Sequence, residues 1–175
     1  MHLATQFRWS SIVIPLYILA MATTLTAGGF YLSLEKPVNA DTPQTKDAVL
    51  LVKPYGCHQP EDALISATAE GFVNGRRETI KLRLHPASKG VYAIKQQWPT
   101  EGVWLVAVRG SYLGAHRAAL LELAPDGTVK IEKAATGQEP RVKTLARELT
   151  ATDIETGIQE LARKRASLSQ RASNY

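Results

Sequence analysis

Cys57, His58, His85 and His116 are the side chains of this sequence whose types suit chemistry best, because a thiolate with imidazoles is a donor set that zinc and copper accept. The chain has one cysteine, so it closes no internal disulfide. In an oxidising compartment a lone thiol is buried, pairs between chains or binds a metal. All four donors fall in or beside turns between apolar runs. Successive strands of an antiparallel sandwich reverse direction, so odd-numbered connections gather at one end. Cys57-His58 lies in the first connection, His85 opens the third and His116 closes the fifth. The four are therefore expected at one pole, with Tyr55 and Tyr112. Sharing a pole is not sharing a site, and a buried cysteine with surface histidines is the plainer reading.

Other constellations are weaker. Ser66, Ser88 and Ser111 stand in no nucleophile-elbow context, and the histidines have no acidic partner visible in sequence. Glu61-Asp62 beside Pro60 reads as a solvated loop pair. A phosphate-binding glycine loop and a CxxCH haem motif are both missing, so neither an enzyme nor a bound cofactor is expected. The net charge of +5 is spread along the chain, which argues against a nucleic-acid partner. One denser patch, Arg163-Lys164-Arg165, suits either lipid headgroups or the negative end of a helix.

These residues need elements to hold them. No charged residue occurs between Arg8 and Glu35. At about 1.5 Å per residue that run is long enough for a hydrocarbon core of about 30 Å. Arg8 on the leading flank predicts a cytoplasmic N-terminus and an extracytoplasmic remainder, periplasmic or at the cell surface. Residues 1–34 are read as a membrane anchor; cleavage after Ala40, behind Val38-Asn39, is the alternative. Residues 35–46 read as a linker.

Residues 47–135 change to short apolar or alternating runs: 48–53, 63–72, 79–84, 91–97, 103–109, 117–123 and 128–133. Asn74-Gly75, Pro99, Gly102, Gly110, Gly114 and Pro125-Asp126-Gly127 punctuate them. About seven strands with short turns predict an all-β, immunoglobulin-like antiparallel sandwich. Residues 136–175 turn helical: a short turn after Pro140 carrying Val142, Leu145, Ala146 and Leu149, then a helix capped by Thr152 and Glu155. The apolar face of that helix is Ile154, Ile158, Leu161 and Ala162. The residues from Ser167 onward are expected to fray.

Gly90-Val91-Tyr92, then Pro99, Glu101-Gly102-Val103-Trp104 and the alternating strand to Val108 give the pattern G-x-Y, P-x-x-G-x-W. It resembles small extracytoplasmic immunoglobulin-like domains, among them the carboxypeptidase-regulatory (transthyretin-like) and FixH- and YtkA-like domains. The resemblance implies a tyrosine and a tryptophan between the sheets, on strands joined by a Pro99–Gly102 hairpin. It also implies a binding or accessory role without catalysis. The function expected is a non-catalytic interaction domain with a protein partner in a membrane or envelope complex. A small copper- or zinc-binding protein is the alternative.

Overall fold

The computed structural model describes residues 29–37, 42–56, 58–124, 126–131, 142 and 144–172. The apolar run before residue 29 lies outside them, and so does Cys57. Among the described residues no helix is long and apolar enough to cross a membrane.

Among the described residues eight strands form two four-stranded antiparallel sheets. The first sheet takes β1 (Phe30–Glu35), β2 (Ala48–Gly56), β6 (Val91–Lys95) and β5 (Leu84–Ser88), in that spatial order. The second takes β4 (Arg76–Lys81), β3 (Leu64–Val73), β7 (Val103–Tyr112) and β8 (Ala115–Glu122). One core joins them: Leu32, Leu50, Val52 and Ile94 of the first sheet share an apolar cluster with Ala67, Trp104, Val106, Val108 and Leu121 of the second.

Strand β1 corrects the expected boundaries. Phe30-Tyr31-Leu32-Ser33-Leu34-Glu35 alternates, with Phe30, Leu32 and Leu34 buried and the residues between them outward. Period-two burial places one face of this hexapeptide on the core. Six ladder pairs to β2, from Phe30↔Gly56 to Glu35↔Leu51, fix its register. The sandwich therefore begins at Phe30, inside the segment expected to be leader, rather than at residue 47. A cut after Ala40 would remove this strand.

The expected strand 79–84 is two strands. Its inward residues Ile80, Leu82 and Leu84 do face the core, but the chain changes sheets at Leu82-Arg83 between β4 and β5. Gln97 steadies the corner by hydrogen bonds to the Arg83 amide (2.8 Å) and carbonyl (3.1 Å). The Pro99–Gly102 connection is not a hairpin either. Tyr92 on β6 and Trp104 on β7 belong to opposite sheets, so the chain crosses between them there, burying Trp98 on the way. Trp104 is buried as expected and donates Nε1 to the Glu101 carbonyl at 2.7 Å. Tyr92 is only half-buried. Of the run 128–133, residues 128–131 are described, and among them Val129 bridges Leu123.

At the C-terminus the segment after Pro140 is not helical where it is described. Leu145 instead pairs with Ala118 as an extra rung on β8, with hydrogen bonds of 3.0 and 2.7 Å. Helix α1 (Ala151–Ala172) is longer than expected and continues past Ser167. Its cap lies two residues earlier than the sequence suggested: Thr150 Oγ1 accepts the Asp153 amide (3.2 Å), and Asp153 accepts the Thr150 amide (2.8 Å). Ile154, Ile158 and Leu161 then pack on Leu105 of the second sheet. Gly157 lets the helix close on that sheet, since a Cβ there would stand 2.8 Å from Leu105 Cδ1.

The Trp104 indole needs the bare backbone of Gly71, where a Cβ would meet it at 2.3 Å. Trp104→Ala should cost about 3–5 kcal/mol, a large part of the roughly 5–15 kcal/mol that holds a domain folded. Gly71→Ala should lower the melting temperature as well. Thermal unfolding of both variants checks this register; an unchanged melting temperature for either would contradict it.

Candidate functional site

Register fixes the two poles. Gly56, at the end of β2, lies beside Phe30 at the start of β1. Leu64 lies across from Ser111, and the Phe30 and Tyr112 rings are 6.0 Å apart. The β2–β3 loop, the β7–β8 hairpin and the start of β1 therefore share one end of the fold, called here the first pole. The β5–β6 turn reaches it too, because Lys89 Nζ is 2.8 Å from Glu61 Oε1. That contact holds the Glu61 carboxyl below its usual range and raises Lys89 above its own.

The odd-numbered connections thus gather as the sequence suggested, but the four candidate ligands do not all follow. His58 sits in the β2–β3 loop directly after the undescribed Cys57, and His116 is the second residue of β8. His85 is not in a connection. It lies within β5, level with Ala93 and, through β6, with Leu51. Leu51 is five residues short of Gly56, about 17 Å down the strand at about 3.4 Å per residue. Among the described residues no group of three or more His, Cys, Asp or Glu side chains is placed to hold a metal ion.

His116 has a partner that sequence reading missed. Its Nδ1 lies 3.1 Å from Glu148 Oε1. The Leu145–Ala118 rung lays the following residues along β8, which brings Glu148 over His116. Beyond it, Arg147 makes a bidentate pair with Asp153 at 2.6 and 2.7 Å, pinning the segment to the helix cap. The signal for Glu148 was weak, because it stands 32 positions from His116 and no local pattern links the two.

Ser66, Arg109, Ser111, His116 and Glu148 line one open cavity of about 280 Å³ on the outer face of the second sheet. Register explains the grouping: Ser66 pairs with Arg109, and Ser111 with His116, so each pair shares the outward face. Arg109 is aimed from below. Its Nη1 donates to Thr68 Oγ1 (3.1 Å), and Thr68 donates to Glu70 (2.7 Å). Glu70, only 5% exposed, also accepts Thr79 (2.7 Å) and Arg77 (3.2 Å), so its buried carboxylate is well satisfied.

A hydroxyl, an imidazole and a carboxylate in one cavity have the composition of a nucleophilic site. Among the described residues, however, neither Ser66 nor Ser111 is hydrogen-bonded to His116. What the arrangement offers is recognition: an arginine, an imidazole and two hydroxyls facing one opening can hold an acidic or hydrogen-bond-accepting group.

The basic cluster at the helix end is mostly committed elsewhere. Arg165 donates to the Gly102 and Leu123 carbonyls at 2.5 and 3.0 Å, and Lys164 pairs with Glu122 at 3.0 Å. These contacts clamp the helix to the second pole, away from the start of β1.

No protein-family model matches this chain, and no curated protein or solved structure matches it either.

The helix cap that positions Glu148 carries a pH dependence. Arg147 first, then the Thr150 amide and hydroxyl, hold the Asp153 carboxyl well below the usual carboxylate range. A lowered folded-state pKa adds stability above the ordinary range, lost as pH falls through the folded value. Asp153→Asn should therefore lower the melting temperature at neutral pH, by a margin that closes in strong acid. Thermal unfolding across a pH series checks this; a gap constant with pH would contradict it.

Proposed function

We propose that this chain is a non-catalytic, extracytoplasmic interaction domain of immunoglobulin-like fold, held at a membrane by its N-terminal segment and serving as an accessory subunit of a membrane or envelope complex. The observation that carries the reading is the place of β1. The strand is part of the core and takes up the last residues of the uncharged run, Phe30–Leu34, so that run leads in sequence straight into the sandwich. Cleavage after Ala40 is disfavoured, because it would strip Phe30, Leu32 and Leu34 from the interior. The strand order supports the immunoglobulin-like assignment. In sequence lettering, β1-β2-β6-β5 reads A-B-E-D and β4-β3-β7-β8 reads C′-C-F-G.

The partner surface on this reading is the half of the second sheet's outer face that α1 leaves open. Its cavity over Arg109 and His116 receives an acidic or amide-bearing side chain of the partner. The full-length chain should come out of detergent-solubilised membranes with a stoichiometric protein. Its intact mass should include the residues before Asp41, and Arg109→Glu should release the partner without unfolding the domain. A chain cut after Ala40 that elutes alone would contradict the proposal.

The second reading, a copper or zinc protein, keeps one observation in its favour. Glu148 orients the His116 imidazole as a carboxylate does for a metal-ligating histidine. His58 shares the first pole with His116, Cys57 precedes it in the sequence, and His85 would not take part. Titration with zinc and with copper should separate the wild type from a Cys57→Ser, His58→Ala variant if this reading holds. Identical binding by both proteins would dispose of it.

A further inference from the structure

We propose that the first pole of the sandwich is seated on the lipid surface of the membrane, with the β7–β8 hairpin tip and the Tyr31–Tyr55 pair in its headgroup layer. The inference rests on the anchored reading above and adds to it a fixed orientation and a contact surface.

The uncharged run passes through Gly29 into β1, and Phe30 is already paired with Gly56 in the ladder. One residue spans at most about 3.6 Å. A chain that leaves a bilayer along this run therefore delivers the first rungs of the sandwich to the bilayer surface, with no spacer to lift them off. The second pole lies a full strand away, about 30 Å for the nine residues of β2 at about 3.4 Å each.

The first pole also displays large apolar side chains. Of the six large apolar side chains most exposed among the described residues, four are here: Leu113 (86%), Leu64 (77%), Tyr55 (46%) and Tyr31 (42%). Phe72 lies at the other end, and Leu168 in the last turns of the helix. The two tyrosines stack with centroids 5.3 Å apart on the outer face of the first sheet, and the Arg117 guanidinium lies 5.1 Å above Tyr31. Tyrosine rings with a polar tip, beside an arginine whose stem is apolar, match the boundary between headgroups and acyl chains.

The hairpin tip at this pole has a counterpart at the other. Two of its hairpins turn through two residues at positive φ. At the second pole they are Asn74 (49°) and Gly75 (78°), the pair such turns prefer. At the first pole they are Leu113 (46°) and Gly114 (79°). Leucine is disfavoured in that backbone region, and here it is also almost fully exposed. The fold gains nothing from it. An apolar side chain carried outward on a rigid tip, at the end where the chain meets the membrane, is suited to the interfacial layer.

The test uses the full chain in vesicles of phosphatidylcholine and phosphatidylglycerol. A nitroxide is attached at Leu113→Cys, Leu64→Cys or Asn74→Cys, each in a Cys57→Ser background whose fold is checked by thermal unfolding. Flotation is scored first, then collision of each nitroxide with oxygen and with a water-soluble nickel chelate. Labels at 113 and 64 should meet nickel several-fold less than the label at 74 and should be enriched in oxygen collisions. If the protein floats and all three labels meet nickel alike, the pole stands in water; the orientation is then wrong while the anchored reading survives. Shielding from nickel without oxygen enrichment would mean that protein, a second copy or another chain, covers the pole, which also overturns the proposal. Failure to float overturns the anchored reading and this inference together.

Discussion

Everything in this molecule hangs on the fact that the uncharged run ends inside a strand of the sandwich. Phe30, Leu32 and Leu34 are almost fully buried, and each contributes about 1.5–3 kcal/mol by leaving water. Together they rival the whole stability of an ordinary domain, about 5–15 kcal/mol. Because β1 pairs with β2 along its full length, its position also sets where Gly56, the β2–β3 loop and the neighbouring hairpin lie relative to the incoming chain. A linker before β1 would leave the domain free to tumble. On the anchored reading proposed above, its absence would turn a strand register into an orientation.

The second sheet divides its outer face between two jobs. Helix α1 covers Leu105 and Leu120 with Ile154, Ile158 and Leu161, and Arg165 fastens its far end to main-chain carbonyls. Toward the first pole the same face stays open and carries a cluster of polar groups. There the buried Glu70 acts through Thr68 to aim Arg109, while the cap at Thr150 and Asp153 holds Glu148 over His116. The packing that anchors the helix and the polar groups that shape the cavity are therefore coupled through residues 145–153.

The all-β class, the two-sheet layering and the apolar face of the helix were legible in the sequence, because period-two and period-3.6 patterns survive wherever an element has one wet side. Three features were not. The alternation at Phe30–Glu35 was masked by the longer apolar run before it, whose composition dominates any window that spans both. The sheet switch at Leu82-Arg83 keeps Ile80, Leu82 and Leu84 all inward, so one strand and two strands read alike. The rung between Leu145 and Ala118 joins residues far apart in sequence, and no local pattern announces it. The donor residues fared as that would suggest: counting strands placed the loops at the correct pole but put His85 in a loop when it belongs to β5.

The measurement that bears most directly on this account is a comparison of thermal unfolding between two shortened chains, one beginning at residue 29 and one at Asp41. If β1 is part of the core, the longer chain unfolds in a single cooperative transition. The shorter one, missing Phe30, Leu32 and Leu34, melts at a far lower temperature or shows no transition. Superimposable melting curves would contradict the account, since they would mean that residues 30–35 belong to the leader and that the sandwich closes without them.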